Sequence, residues 1–445
     1  MSKTFRAWRL DELLLFPPSV RDFVPEEHLS RFVVSLVRES LDLKAIYASY
    51  AGEKGQPPYD PAMMVALLLY AYAVGLYSSR RIARACAERT DFLMIVALDA
   101  PDFRTISEFR RRHFEALSEL FVQVLRLAEA AGLVKLGHVA LDGTKLKANA
   151  SKHKAMSYQR MIEREKELEA EVARWLEAAE AADAEEDRAF GKDQRGDELP
   201  AWVKDKQARR EKIRAAKAAL EAEAKAAAEE KARAEAAAEA ERQAAGRKKP
   251  GKPAAPPSGA PAAKAQRNFT DPDSRSLKTK DGFVQGYNAQ AAVDGHAQII
   301  VAQALTPSQS DQDQLVPLVD AIKTTLGRPP KEASADAGYC SEANLAALDA
   351  RGIAGYVAVA RAKRAADAKR TINGPFTQAM QRKLKRAGRR SRYRLTKQIV
   401  EPVFGQIKEA RGFRRFLLRG IEKVKAEWAL ICTAHNILKL ATTNA

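Results

Sequence analysis

Cysteine is scarce in this chain of 445 residues. The three present, Cys86, Cys340 and Cys432, are odd in number, widely scattered and without a C-x-x-C pair. That pattern excludes a disulfide framework and a cysteine-built zinc site. Histidine is almost as rare: none of the six has another at helical ligand spacing, which argues against a histidine-based metal site. Long apolar runs are missing too. The stretch around Met63 to Leu76 falls short of the ~20 residues that a membrane span needs, and Met1 to Arg9 carries charge without a following apolar run of signal-peptide length. These absences predict a reducing, cytoplasmic setting and no membrane partner. Net negative charge is also lacking. Lysine and arginine exceed aspartate and glutamate to give +18, which fits a polyanionic partner such as nucleic acid; the alternative on charge alone is an ordinary basic surface.

What is present divides the chain. Residues 1–135 read as all-helical: a proline just after Asp60 opens a periodic run to Leu76, a second helix is expected from Ser79 to about Ile95, and a third begins near Thr105 with Phe109, Phe114, Leu117, Leu120, Phe121 and Val124 on one face. Arg80, Arg81 and Arg84 cluster on one of these helices and Arg110, Arg111 and Arg112 on the next. A helix-turn-helix arrangement would bring such side chains to DNA phosphates; the alternative for each is a solvated helix face. From Gly137 the pattern turns to strands. His138–Ala148 is a first strand, and Gly286–Val293 with Gln298–Leu305 form a hairpin around Asp294-Gly295, a dipeptide suited to positive φ, which makes Asp294 a turn residue. A helix from Gln314 to Leu326, a strand ending at Asp336, a helix from Glu342 to Ala350 and a strand from Ala354 to Val359 follow. The expected fold is α/β: a ribonuclease-H-like mixed five-stranded sheet, discontinuous in sequence over 136–150 and 267–445.

The interruption, 151–247, reads as a helical hairpin. Met161, Leu168, Trp175 and Ala182 recur every seven residues, as do Ile213, Leu220, Ala227 and Ala234, the pattern of a coiled coil reversed through Phe190–Pro200. At 1.5 Å per residue a helix of ~35 residues would project about 50 Å. Residues 248–266, rich in Pro, Gly and Ala, read as a flexible linker.

Two aspartates lie in or at the end of apolar strand-like runs, Asp142 in Ala140-Leu141-Asp142-Gly143-Thr144-Lys145 and Asp336 in Ala335-Asp336-Ala337-Gly338-Tyr339. Carboxylates in a sheet interior are costly unless something positive pairs with them. Glu401 opens a helix-like run, and three such acids suit two Mg2+ ions, with Mn2+ as substitute, in a phosphodiester-processing centre. Neighbouring strands stand about 4.8 Å apart, so Asp142 and Asp336 on adjacent strands would share an ion. Lys408, seven residues after Glu401 and on the same helical face, would grip a phosphate or else be an ordinary solvated lysine. Behind the basic run Gln381–Arg394, the final helix with Trp428, Ile431 and Leu438 reads as core, His435 and Asn436 included.

These residues carry a resemblance. Leu141-Asp142-Gly143-Thr144-Lys145, Gly286-Tyr287-Asn288-Ala289-Gln290, Ala335-Asp336-Ala337-Gly338-Tyr339, Val400-Glu401-Pro402-Val403-Phe404-Gly405-Gln406-Ile407-Lys408 and Gly412-Phe413-Arg414-Arg415-Phe416 occur in this order. The chain resembles prokaryotic insertion-sequence transposases of the DDE type, in the branch with a Tyr/Arg/Glu/Lys signature. It departs from that signature in having Lys397 four residues before Glu401 and Arg394 at the tyrosine position, with Tyr393 beside it. The resemblance implies Asp142, Asp336 and Glu401 as catalytic metal ligands and Lys408, Lys397 and Arg394 at the DNA. It implies binding of inverted-repeat ends, strand cleavage and strand transfer into target DNA by a homodimer or higher oligomer at the nucleoid. A non-catalytic DNA-binding descendant and a nuclease without strand transfer are the rival readings.

Overall fold

In the computed structural model, residues 19–50, 57–190, 201–244, 258–279, 282–359 and 374–442 are described. The expected reversal across 191–200 and the larger part of the linker, 248–257, lie outside the described residues, as does the side chain of Trp175.

The N-terminal region is helical: α1 (Leu29–Glu39), α2 (Lys44–Tyr47), α3 (Pro61–Ala73), α4 (Ser79–Glu88), α5 (Thr90–Ile95), α6 (Phe103–Arg112) and α7 (Phe114–Ala130). Asp60 caps α3 by accepting from Ala62 N at 2.8 Å, with Pro61 in the first turn where its missing N–H costs nothing. Two expected helices are each broken in two. Arg89 is extended between α4 and α5, its guanidinium paired with Asp91 and stacked over Phe92, so a local ion pair ends the helix. His113 leaves helical geometry between α6 and α7, where its ring packs 4.7 Å from Phe109 and 5.5 Å from Tyr50.

The sheet is built on β1 (His138–Lys147) and β5 (Gly282–Asp294), with β4 (Arg275–Thr279), β6 (Ile300–Thr306), β7 (Glu332–Ala335) and β8 (Ala354–Val357). Reading across, β6, β5, β1, β7 and β8 are neighbours; only β5 runs against the rest. This mixed order is that of a ribonuclease-H-like fold. A sixth strand, short β4, pairs with the start of β5 and extends the edge beyond the five expected. The hairpin's positive φ falls on Gln298 rather than on Gly295. Gly295 is needed for space instead: a Cβ there would lie 3.0 Å from Ile399 Cδ1 and 3.1 Å from His138 O. Asp294 accepts from Leu136 N at 2.7 Å and His296 N at 2.8 Å and so serves the turn.

Helices α10 (Leu315–Leu326), α11 (Glu342–Ala350), α12 (Pro375–Ala387), α13 (Leu395–Gly405) and α14 (Ile421–Ala441) complete this part. Apolar almost all round, α14 is buried almost throughout its length. Trp428 donates from Nε1 to Gln290 O at 3.0 Å, and Asn436 bridges Ile300 N and O at 2.9 Å each. Buried His435 faces Gln298 O at 2.9 Å. Through α14 the buried residues of α1, α3 and α7 run into those of the sheet as one cluster.

Between β1 and β4 stand α8 (Tyr158–Phe190) and α9 (Ala201–Ala244), based on a two-stranded ribbon of β2 (Ala155–Ser157) and β3 (Gln266–Asn268). The heptad face is buried at Met161, Leu168 and Val172 against Ile213, Ala216 and Leu220. It does not continue, because Ala227 and Ala234 are exposed. α8 begins at Tyr158, whose hydroxyl donates to Glu221 at 2.7 Å, so the two alanines lie beyond the end of α8, and Glu165 within the seam is paired with Arg214 and Lys217. Among the described residues no helix is long and apolar enough to cross a membrane.

Candidate active site

Register brings the two aspartates together. In the parallel pair of β1 and β7, Leu141 stands opposite Ala335, so Asp142 and Asp336 are the next residues along neighbouring chains. Asp142 continues β1, accepting from its neighbour Gly143 N at 2.7 Å, whereas Asp336 ends β7 and caps the turn that follows by accepting from Gly338 N at 2.8 Å. Glu401 comes from α13, which packs over β1, β5 and β7 with Ile399, Val400, Val403 and Phe404 inward and the glutamate exposed.

The charges interact. Burial, and then the like charges of Asp336, Asp311 and Glu401, push the Asp142 carboxyl up to about 7. Burial and Asp311 raise Asp336 as well, against the lowering effect of Lys145. Tyr393 is half-buried beside Asp336, Asp142 and Glu401, and burial with their charge raises its phenol.

Lys408 is not two regular helical turns from Glu401. After Pro402, which gives α13 no N–H at that point, residues Gln406–Ala410 form a π-helical turn, a distortion that recurs at functional sites. That turn half-buries Lys408, whose Nζ donates to Lys145 O at 3.3 Å, and burial lowers its pKa. Lys397 and Arg394 are exposed on or beside α13.

The basic residues of the helical region diverge. Arg110 does not fit a phosphate-binding role: it is buried, donating to Tyr72 Oη and Tyr77 O at 2.9 Å each and to Ser79 Oγ at 3.3 Å, with the charge of Glu427 beside it. The run of arginines hid this because only one of the three consecutive side chains faces inward. Arg80 stacks over Phe103, Arg84 pairs with Glu88, Arg111 with Glu108, and Arg112 donates to Ser49 O while covering Tyr50. Arg81 is exposed.

One acid at the centre carries no sequence expectation. Asp311, in the loop before α10, accepts at Oδ1 from Asn288 Nδ2 at 2.6 Å and Gln290 Nε2 at 2.7 Å, and Lys145 Nζ lies 3.6 Å away. Asn288 and Gln290 interrupt the apolar run from Tyr287 to Val293 in β5, and buried amides require partners; that was the available signal.

Three carboxylates, Asp142, Asp336 and Glu401, make no ion pair with any side chain among the described residues, while raising one another's charge cost. Uncompensated hard oxygen donors of this kind fit a divalent cation such as Mg2+. Among the described residues no three acidic, histidine or cysteine side chains already close on one point as a metal cage.

Residues 18–112 match the family model described as "Transposase domain (DUF772)", and residues 259–437 match "Transposase DDE domain". The second match begins after the helical insertion, so it contains Asp311, Asp336 and Glu401 but not β1 with Asp142. No curated protein and no solved structure matches the chain. The two matches together cover more than half of the chain in the order of a transposase, and the chain belongs to the insertion-sequence DDE transposases.

Proposed function

We propose that this transposase binds double-stranded DNA at the inverted-repeat ends of its element, hydrolyses phosphodiester bonds there and joins the freed 3′-hydroxyls to target DNA. The observation that carries the reading is the β1–β7 register, which makes Asp142 and Asp336 neighbours under Glu401 of α13. Asp142, Asp336 and Glu401 would hold two divalent ions, Mg2+ with Mn2+ as substitute. The ions supply activation of the attacking oxygen and stabilisation of the leaving one. The protein's own groups orient the DNA. Lys408, held against β1, presents its charge toward the strand being cut, and Lys397, Arg394, Arg81 and the exposed parts of Arg80, Arg84, Arg111 and Arg112 contact phosphates away from it.

In this reading residues 1–135 are the DNA-binding domain and 136–150 with 267–445 the catalytic domain. Residues 151–247 form a pairing arm and 248–266 its linker. The assembly is a homodimer or larger and works at the nucleoid in the cytoplasm.

Strand cleavage of an end-containing duplex in magnesium tests the centre. Asp142→Asn, Asp336→Asn and Glu401→Gln should each abolish cleavage and leave end binding intact. Full activity in any one of them removes that residue from the centre, and cleavage without joining of pre-cut ends to a target plasmid reduces the activity to that of a nuclease.

A further inference from the structure

We propose that Asp311 is a positioning residue of the cleavage centre, setting the turn that carries Asp336 through a relay of Gln290 and Tyr339. The inference rests on the transposase reading and names a part of the same centre that neither family match assigns.

Cross-strand partners share a face of a sheet, and Gly143 stands opposite Gln290 and Lys145 opposite Asn288. Asp311, bonded to both amides, therefore approaches from the face opposite the Asp142 side chain, beneath Gly143. Glycine at 143 leaves room for this arrangement. A Cβ at 143 would lie 2.7 Å from Asp311 Oδ1 and collide with the Gln290 amide.

The consequences pass along the Gln290 side chain. Because its Nε2 donates to Asp311, its Oε1 must turn the other way, where it accepts from the buried Tyr339 hydroxyl. Tyr339 closes the turn begun by Asp336, its N–H bonded to Asp336 O at 3.3 Å. A second tie runs in parallel: Asn344 Nδ2 donates to Gln312 O at 2.7 Å and to Tyr339 O at 2.8 Å, joining the residue after Asp311 to the same tyrosine. Finally, a Cβ at Gly338 would lie 3.0 Å from Asp336 Oδ1 and 3.1 Å from Asp311 Oδ2, so the two carboxylates flank one glycine. Without the anion at 311, the Gln290 amide has no reason to keep its orientation, the Tyr339 hydroxyl loses a fixed acceptor, and the turn holding Asp336 is free to shift.

A misplacement of about 1 Å at a reacting centre can cost on the order of 100-fold in rate. Asp311→Asn, which keeps size and removes charge, should therefore slow single-turnover cleavage of pre-bound end DNA about 10- to 100-fold while end affinity stays within about twofold. Tyr339→Phe should do the same, and the double variant should be no slower than the slower single, because both act along one relay. Additive losses, or a loss of end binding in step with cleavage, would overturn the relay. Asp142→Asn run alongside tests the transposase reading separately: cleavage that survives it, or a wild type that never cleaves, counts against that reading and not against the relay. In that event hydrogen exchange decides. Faster exchange in Asp311→Asn confined to residues 336–345 supports the relay, and exchange unchanged there refutes it.

Discussion

At the scale of single residues, the centre is a place where stability is given up. The Asp142 carboxyl, pushed up to about 7, lies above its unfolded value of about 4. Between those values the folded chain holds a proton that the unfolded chain has released, so stability falls as pH rises through that window. In chelator, wild-type protein should lose on the order of 3 kcal/mol more between pH 4 and pH 8 than Asp142→Asn does, read by urea unfolding. Equal losses would sever Asp142 from the effect. Adding Mg2+ at pH 8 should raise the wild-type melting temperature and leave that of Asp142→Asn nearly unmoved, since only a ligand bound to the folded state stabilises it. Arg110 makes the opposite kind of prediction. Removing it takes a buried donor from the Tyr72 hydroxyl, the Tyr77 carbonyl and the Ser79 hydroxyl, and an opposing charge from the surroundings of buried Glu427. Leaving a buried polar group without its partner costs about 1–3 kcal/mol. Arg110→Ala should therefore lower thermal stability sharply, whereas Arg81→Ala should weaken DNA binding at an unchanged melting temperature.

At the scale of elements, much was legible because apolar periodicity and turn chemistry act locally. The apolar run opened by Asp60-Pro61, the hairpin strands and the final apolar helix all stand where their patterns placed them. What escaped depends on partners distant in sequence. No local pattern announces that Arg89 would end a helix by pairing with Asp91, or that His113 would break another by packing on Tyr50. Asp311 was missed for the same reason: its meaning comes from Asn288 and Gln290, more than twenty residues earlier, and from the absence of a side chain at Gly143. The two helices of the insertion pack over part of the expected seam only, because α8 begins opposite Glu221 and gives Ala227 and Ala234 no helix to face. Deleting residues 157–247 should reduce the mass measured by light scattering from that of the full assembly to that of a smaller one. An unchanged oligomeric state would relieve the arm of the pairing role. Glu165→Ala, which frees Arg214 and Lys217 from the seam, should melt the arm's helical circular dichroism at lower temperature.

At the scale of the whole molecule, the excess of 75 lysines and arginines over 57 acids sets the behaviour toward DNA. Neutralising roughly 6–10 phosphates would cost about 10³–10⁵ in affinity between 50 and 200 mM salt. End binding should therefore show a steep negative slope of log affinity against log salt, shallower by about one for each contacting arginine removed. A flat slope would mean that the basic surface faces something other than phosphate.

The position of α14 reaches beyond the chemistry. Its flanks close the hydrophobic faces of α3 and α7 at one side and of β6 at the other, although it follows all of them in the chain. Everything synthesised before residue 421 thus waits with an uncovered greasy surface until this helix emerges. An expressed fragment ending at residue 420 should collect in the insoluble fraction, and one that stays soluble and binds element ends would contradict this. The expectation bears on inheritance: a copy of the coding region broken late yields a polypeptide for proteases and chaperones, not a rival that occupies DNA ends, so damaged copies would be silent passengers and not inhibitors of the intact one.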